Sequence, residues 1–323
     1  MAARTAGFWT LLTAICLAAC SGTPAPTLRG AEAPFDFSGH LAGKTLLFVG
    51  AHPDDEQAAN AFMAEACLFN GASCHYAVVS EARSYGCYLT LGMTDPAACS
   101  DLRREEMRAS AALTNGTVTF FGWDDLFYAH NNAGLDRNIE AWAARQGGRG
   151  ALVARFAAEI DAVRPDIVFS LDPRHGVTCN PNHRAVSILL MEAIGSLAAP
   201  AQPELWFEND FMFMEQMSEA ERALYSEKAG YAWPADDPPL VWYDGNRLLP
   251  NGRTPFDYVA DTLKAHASQY PGIADGSEDP LPPAEARRVP LVRAASIDAS
   301  RDLCSALELD FPTFDIVGYP DTD

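Results

Sequence analysis

Leu46-Leu47-Phe48-Val49-Gly50-Ala51-His52-Pro53-Asp54-Asp55-Glu56 is an apolar run that ends abruptly in one imidazole and three carboxylates. The apolar part is short, partly β-branched or aromatic, and closed by a proline, which is the pattern of a buried strand in an α/β sheet. Open α/β sheets bind ligands beyond the carboxyl ends of their strands, so His52 leaves the strand where chemistry is expected. Asp54 to Glu56 are read as opening a helix that continues through Gln57 to Ala66. Two readings of these acids stand on spacing alone. Acids in a first turn complement the helix dipole by about 0.3–1 kcal/mol each. His52 and Asp55, three residues apart, also bring an imidazole nitrogen and a carboxylate oxygen to one cation, with Asp54 beside them as an unbound base.

The pattern recurs downstream. Pro165-Asp166-Ile167-Val168-Phe169-Ser170-Leu171 reads as a second buried strand, and it runs into Asp172-Pro173-Arg174-His175-Gly176-Val177-Thr178-Cys179-Asn180-Pro181-Asn182-His183-Arg184. From His183 to Leu197 a helix is expected, with Val186, Leu189, Leu190 and Ile194 on one face. If the two strands are parallel neighbours, His52, Asp55 and His183 meet over their carboxyl ends. Two nitrogens, one carboxylate and an open position match a catalytic zinc site, whereas structural zinc is closed by four protein ligands. The expected fold is α/β, a Rossmann-like, mostly parallel sheet flanked by helices, with the metal site at the strand C-terminal ends.

On these residues the chain resembles the PIG-L or LmbE-like N-acetylglucosaminyl deacetylases. The resemblance rests on Ala51-His52-Pro53-Asp54-Asp55-Glu56, on Asn180-Pro181-Asn182-His183, and on Lys264-Ala265-His266-Ala267-Ser268-Gln269. Arg103-Arg104-Glu105-Glu106, read as opening a helix, and Phe120-Phe121-Gly122-Trp123-Asp124, read as closing a strand, also fit. The resemblance implies that His52, Asp55 and His183 bind Zn2+ and that Asp54 is the general base on a zinc-activated water. It also implies that Arg103 reaches the substrate and that His266 lies near the site. Asp124 or Asp125, at another strand end, is placed to hydrogen-bond sugar hydroxyls, Asp124 being the expected contact; capping of the next turn is the alternative.

Position 180 departs from the family pattern. A His is usual there, assisting the oxyanion or the leaving amine, whereas Asn180 donates a hydrogen bond but carries no charge and delivers no proton near neutral pH. His175 is the nearest substitute donor if the loop folds back. Asn182 stands where Asp is frequent, outside the ligand set.

The amino terminus carries a separate signal. Residues 1–19 read as a secretory signal, Arg4 preceding an apolar stretch from Phe8 to Ala19 that is too short to span a bilayer. Leu17-Ala18-Ala19-Cys20 resembles a bacterial lipobox with Cys20 as the lipidated residue; an ordinary signal with a small-residue cleavage site is the alternative. Residues 20–40, rich in Pro, Ala, Thr and Gly up to Pro34, read as a tether, and residues 41–323 as one deacetylase domain. The expected location is the periplasmic face of the outer membrane, with membrane contact through the lipid anchor only. Cysteine usage agrees with export. Local spacing favours pairing Cys67 with Cys74 and Cys87 with Cys99, which leaves Cys179 for Cys304. A thiolate ligand at Cys179 and buried free cysteines are the competing readings.

A formal net charge of −20 argues against nucleic acid as a partner. The leading expectation is a zinc-dependent hydrolase removing an N-acetyl group from an N-acetylglucosamine-like sugar or glycoconjugate. The alternatives are a catalytically weakened carbohydrate-binding lipoprotein, pointed to by Asn180, and a metallohydrolase of another amide or ester. Two segments, from Tyr85 to Pro96 and from Tyr128 to Gly150, are expected to shape the substrate groove as loops.

Overall fold

The computed structural model describes residues 35–80, 86–126 and 128–308. Its centre is a seven-stranded sheet of β1 (Thr45–Gly50), β2 (Ser73–Ser80), β3 (Thr117–Trp123), β4 (Ile167–Leu171), β5 (Glu204–Glu208), β6 (Val241–Asp244) and β7 (Arg288–Arg293). The order is β3-β2-β1-β4-β5-β7-β6. β1 to β5 run parallel, while β7 is antiparallel to both β5 and β6. This is the expected mostly parallel α/β architecture.

Strand β1 is apolar throughout because both faces of the sheet are covered. Leu46 and Phe48 point into one core with Phe62, Tyr76, Phe169 and Trp206. Leu47 and Val49 point into the other with Trp142, Phe156, Val168 and Leu189. The first core is closed by helices Ala59–Phe69 and Pro255–Ala265, the second by helices Asn132–Gln146, Arg149–Val163 and Pro181–Ser196. Strand order reverses between β1 and β4, which pair with Leu46 opposite Ile167 and Phe48 opposite Phe169. A reversal splays the connections apart and leaves a crevice at the strand ends. The loops after β1 and β4 both open there.

Several boundaries differ from the sequence reading. The helix expected from Asp54 begins at Ala59 instead. Asp54 has φ 102, which no helix accommodates, and the Asp55 carboxylate is turned back onto backbone N–H groups. Arg103 lies inside helix Pro96–Ala112, not in its first turn, because Asp95 is the N-cap. Gly86–Leu91 is helical, and so is most of the segment from 128 to 150: Asn131 caps Asn132–Gln146 and Gly147 ends it in the left-handed region. Helix Pro255–Ala265 starts at a Thr254/Asp257 capping box, and His266 is its C-cap, so the motif from Ala267 to Gln269 lies beyond the helix. The tether reading runs too far, since Phe37 and Leu41 of helix Phe37–Leu41 are buried in the core. The signal segment and Cys20 lie outside the described residues. Among the described residues no helix is long and apolar enough to cross a membrane.

Among the described residues three disulfides are formed: Cys67–Cys74, Cys87–Cys99 and Cys179–Cys304. The last ties the loop after β4 to the carboxyl-terminal segment, where Leu303 N–H also donates to Arg174 O. Cys179 is therefore not a free thiolate.

Candidate metal centre

His52 and Asp55 sit on the turn after β1, and His183 sits in the first turn of Pro181–Ser196, which the loop after β4 delivers to the same crevice. One donor atom from each lies within 4.8 Å of the other two. His52 Nδ1 is 3.0 Å from His183 Nε2, which is 3.2 Å from Asp55 Oδ1.

Each donor is aimed because its other polar atom is engaged elsewhere. Asp55 Oδ2 accepts from the N–H groups of Ala51 and His52 at 2.6 and 3.0 Å, leaving Oδ1 for the cluster. His183 Nδ1 donates to Gly176 O at 2.9 Å, which leaves Nε2 unprotonated and facing Asp55. His52 Nε2 lies 3.0 Å from Asp125 Oδ1, leaving Nδ1 inward. Carboxylates and carbonyls behind ligating histidines fix tautomer and ring orientation in metal sites. Two glycines permit the approach. A Cβ at Gly50 would stand 2.9 Å from Asp55 Cβ, and one at Gly176 would stand 2.7 Å from His183 Cβ.

The electrostatics also suit a cation. Burial alone lowers the His52 pKa, but the Asp125 and Asp55 carboxylates reverse this and hold it up to about 10. Against burial, His183 and His52 keep Asp55 well below the usual carboxylate range. His183 itself is lowered by burial, with Asp55 opposing. Without a metal, the cluster retains a proton to offset its carboxylates, and a divalent ion would take that place. The residues therefore fit a metal bound by two imidazoles and one carboxylate.

Asp54 stands beside this cluster, held on three sides. Its Oδ1 accepts from Arg103 Nη2 at 3.0 Å, its Oδ2 from the Tyr270 hydroxyl at 3.3 Å, and its own N–H donates to Glu56 Oε2 at 3.0 Å. Burial pushes its carboxyl up to about 6, with Arg103 and His266 opposing. Arg103 is itself buried and also donates to Pro53 O, so its guanidinium is committed to the motif turn.

Other expected site residues are placed differently. Asp124 pairs with Arg145 at 2.5 Å, and the neighbouring Asp125 is the one that reaches His52. His175 stacks on Phe211 at 4.3 Å, its Nδ1 accepts from Val177 N–H, and its Nε2 lies 3.7 Å from Asp172. That ring is committed to the fold of its loop and does not substitute for a residue at 180. Asn180 is the N-cap of Pro181–Ser196, its Oδ1 accepting from Asn182 N–H at 2.8 Å. His266 is fully buried, 2.7 Å from Glu56, and so is not a substrate contact. Asn182, read as peripheral, is buried against the cluster and donates to Asp125 Oδ1 and Leu126 O. An Asp there would set a second carboxylate against Asp125. The sequence reading had no signal for Asp125 over Asp124. Tyr270 follows His266 by four residues, a spacing that could have drawn it in.

Residues 47–194 match the family described as PIG-L: GlcNAc-PI de-N-acetylase. No curated protein matches the chain in sequence. Among solved structures, the A40926 pseudoaglycone deacetylase Dbv21 is 15% identical over 78% of this chain and 98% of its own, with a TM-score of 0.50. The 4-carboxy-2-hydroxymuconate hydratase GalB of Pseudomonas putida KT2440 is 16% identical over 78% and 96%, at 0.48. The N,N'-diacetylchitobiose deacetylase of Pyrococcus horikoshii is 16% identical over 71% of each chain, at 0.43. Likeness at this level concerns the fold alone.

Proposed function

We propose that this chain, whose residues 47–194 match the PIG-L family, is a zinc-dependent hydrolase removing the N-acetyl group from an N-acetylglucosamine-like sugar or glycoconjugate. The observation that carries this reading is the mutual aim of His52 Nδ1, Asp55 Oδ1 and His183 Nε2, with Asp54 beside them. Zinc held by these three would supply a Lewis acid that polarises the acetamide carbonyl.

The chain's own residues then carry the protons. Water adds to the carbonyl carbon as Asp54 accepts its proton; the C–N bond breaks as that proton passes to the leaving amine, giving acetate and a free amino sugar. A carboxyl held near 6 is matched to both duties, since it is mostly ionised at neutral pH yet basic enough to take a proton. Arg103 and Tyr270 orient it. Asn180 Nδ2 contributes a neutral hydrogen bond to the developing oxyanion, its Oδ1 being held by the helix cap.

We also place the protein outside the cytoplasm, anchored by a lipid at Cys20 and facing the periplasm from the outer membrane. Support comes from the sequence before residue 21 and from the three disulfides, which persist in oxidising compartments. Labelled palmitate incorporated by the wild type and not by Cys20→Ala is the expected result.

The test of function is zinc content and acetate release. The purified protein is expected to hold about one zinc, which Asp55→Ala loses, and to release acetate from a panel of N-acetylated sugars. Absence of tightly bound metal from both proteins would overturn the zinc-enzyme reading. Acetate released from simple amides or esters and not from sugars would overturn the substrate class.

A further inference from the structure

We propose that the His266 side chain is a positioning residue for Asp54, acting through Glu56 on the backbone of Asp54. This rests on the deacetylase reading above. Asp54 has φ 102, a conformation that side-chain-bearing residues rarely adopt, so something must hold it there.

The Asp54 N–H is held by Glu56 Oε2. Glu56 is 1% exposed, and its other oxygen is fixed by Ser110 Oγ at 2.5 Å and His266 Nε2 at 2.7 Å. With His266 fully buried, the imidazole and carboxylate form an ion pair closed to water. On the opposite side, the His266 carbonyl accepts the N–H of Tyr270 at 3.0 Å. The Tyr270 hydroxyl accepts from Gln57 Nε2 at 2.7 Å, which directs its own proton to Asp54 Oδ2. The His266 imidazole thus sets the peptide of the base without touching it, while Tyr270, seated by the main chain at 266 whatever its side chain, holds the carboxylate. His266, Ser268 and Tyr270 all lie beyond residue 194, so the carboxyl-terminal part of the chain completes a site whose ligands lie within the family match. Ser268 anchors this turn to helix Pro96–Ala112, its N–H and hydroxyl both donating to Glu106.

The test compares His266→Ala, His266→Gln and His266→Leu with the wild type in zinc content, kcat, KM and crystal structure. His266→Ala is expected to keep its zinc and its KM, to lose at least tenfold in kcat, and to show Asp54 moved out of its left-handed conformation. His266→Gln, which retains a donor toward Glu56, is expected to recover most of that loss. A folded His266→Ala protein with Asp54 unmoved, or with wild-type kcat, overturns the proposal. Zinc lost in parallel with activity also overturns it, because the role would then be general integrity. If His266→Ala does not fold, His266→Leu, which fills the space without a donor, carries the test: a tenfold fall in kcat at unchanged zinc with Asp54 moved supports the proposal, and full kcat or an unmoved Asp54 overturns it. If the wild type releases acetate from no sugar, the deacetylase reading fails alone. The Asp54 conformation in the His266→Ala or His266→Leu crystals still decides the positioning role.

Discussion

The Cys179–Cys304 disulfide closes a loop with a sequence separation of 125, whereas Cys67–Cys74 closes one of 7. In the chain-entropy description, the constraint a disulfide places on the unfolded chain grows with the logarithm of loop length, giving about 5 kcal/mol for the long loop and about 2.4 kcal/mol for the short one. Replacing both partners by Ala in each pair is therefore expected to separate the two variants by roughly 2.5 kcal/mol. At about 2 °C per kcal/mol for a domain of this size, the long-loop variant melts roughly 5 °C below the short-loop one. Its burial reinforces the order, since Cys179 and Cys304 are 0% and 1% exposed and their truncation leaves a cavity. The location adds a functional readout. Cys179 lies four residues before His183 in the loop that also supplies Gly176 O to the His183 ring, so the long-loop variant is expected to bind zinc more weakly and the short-loop one normally. Guanidinium unfolding at equilibrium, with zinc titration of each variant, measures both. Equal losses of stability, or a larger loss in the Cys67/Cys74 variant, would refute the loop-length reasoning.

Asp54→Asn is expected to retain zinc while acetate release falls at least roughly 10²-fold, the loss expected of a general base; zinc analysis and kcat on one preparation check this. Asn180→His is expected to raise kcat while lowering stability by about 1 kcal/mol, because Asn180 also caps Pro181–Ser196; opposite shifts in kcat and melting temperature are the signature. His175 and His130 are both held down to about 4, chiefly by burial, so between pH 6.5 and 4 the unfolded chain binds protons that the native chain refuses. Stability present above pH 6.5 is thus lost as the pH falls, by up to about 1.4 kcal/mol per unit for each histidine, and His175→Gln is expected to remove about half of that slope in unfolding titrations.

What the sequence disclosed, and what it withheld, divides by the range of the forces involved. The runs 46–50 and 167–171 were legible because a strand covered on both faces must be apolar at every position, and the structure places them as parallel neighbours. The meeting of His52, Asp55 and His183 was legible because these residues stand at the ends of those runs, where topology leaves a crevice. The start of the following helix was not. Asp54 to Glu56 suit a first turn by local preference, but tertiary partners outbid it: Glu56 is drawn to His266 across a sequence separation of 210, and Arg103 holds Asp54 from another helix. His175 misled for a similar reason, since Phe211 and Asp172 claim a ring that its nearness to Asn180 in sequence had offered as a substitute donor. The choice between Asp124 and Asp125 shows the limit most clearly. Both follow β3, both are acids, and neither has a local preference to distinguish it. Arg145 from the next helix takes the first and His52 from the end of β1 takes the second. Periodicity reports which face of an element is buried; it carries no information about which of two adjacent side chains on a turn will meet a partner from elsewhere in the chain.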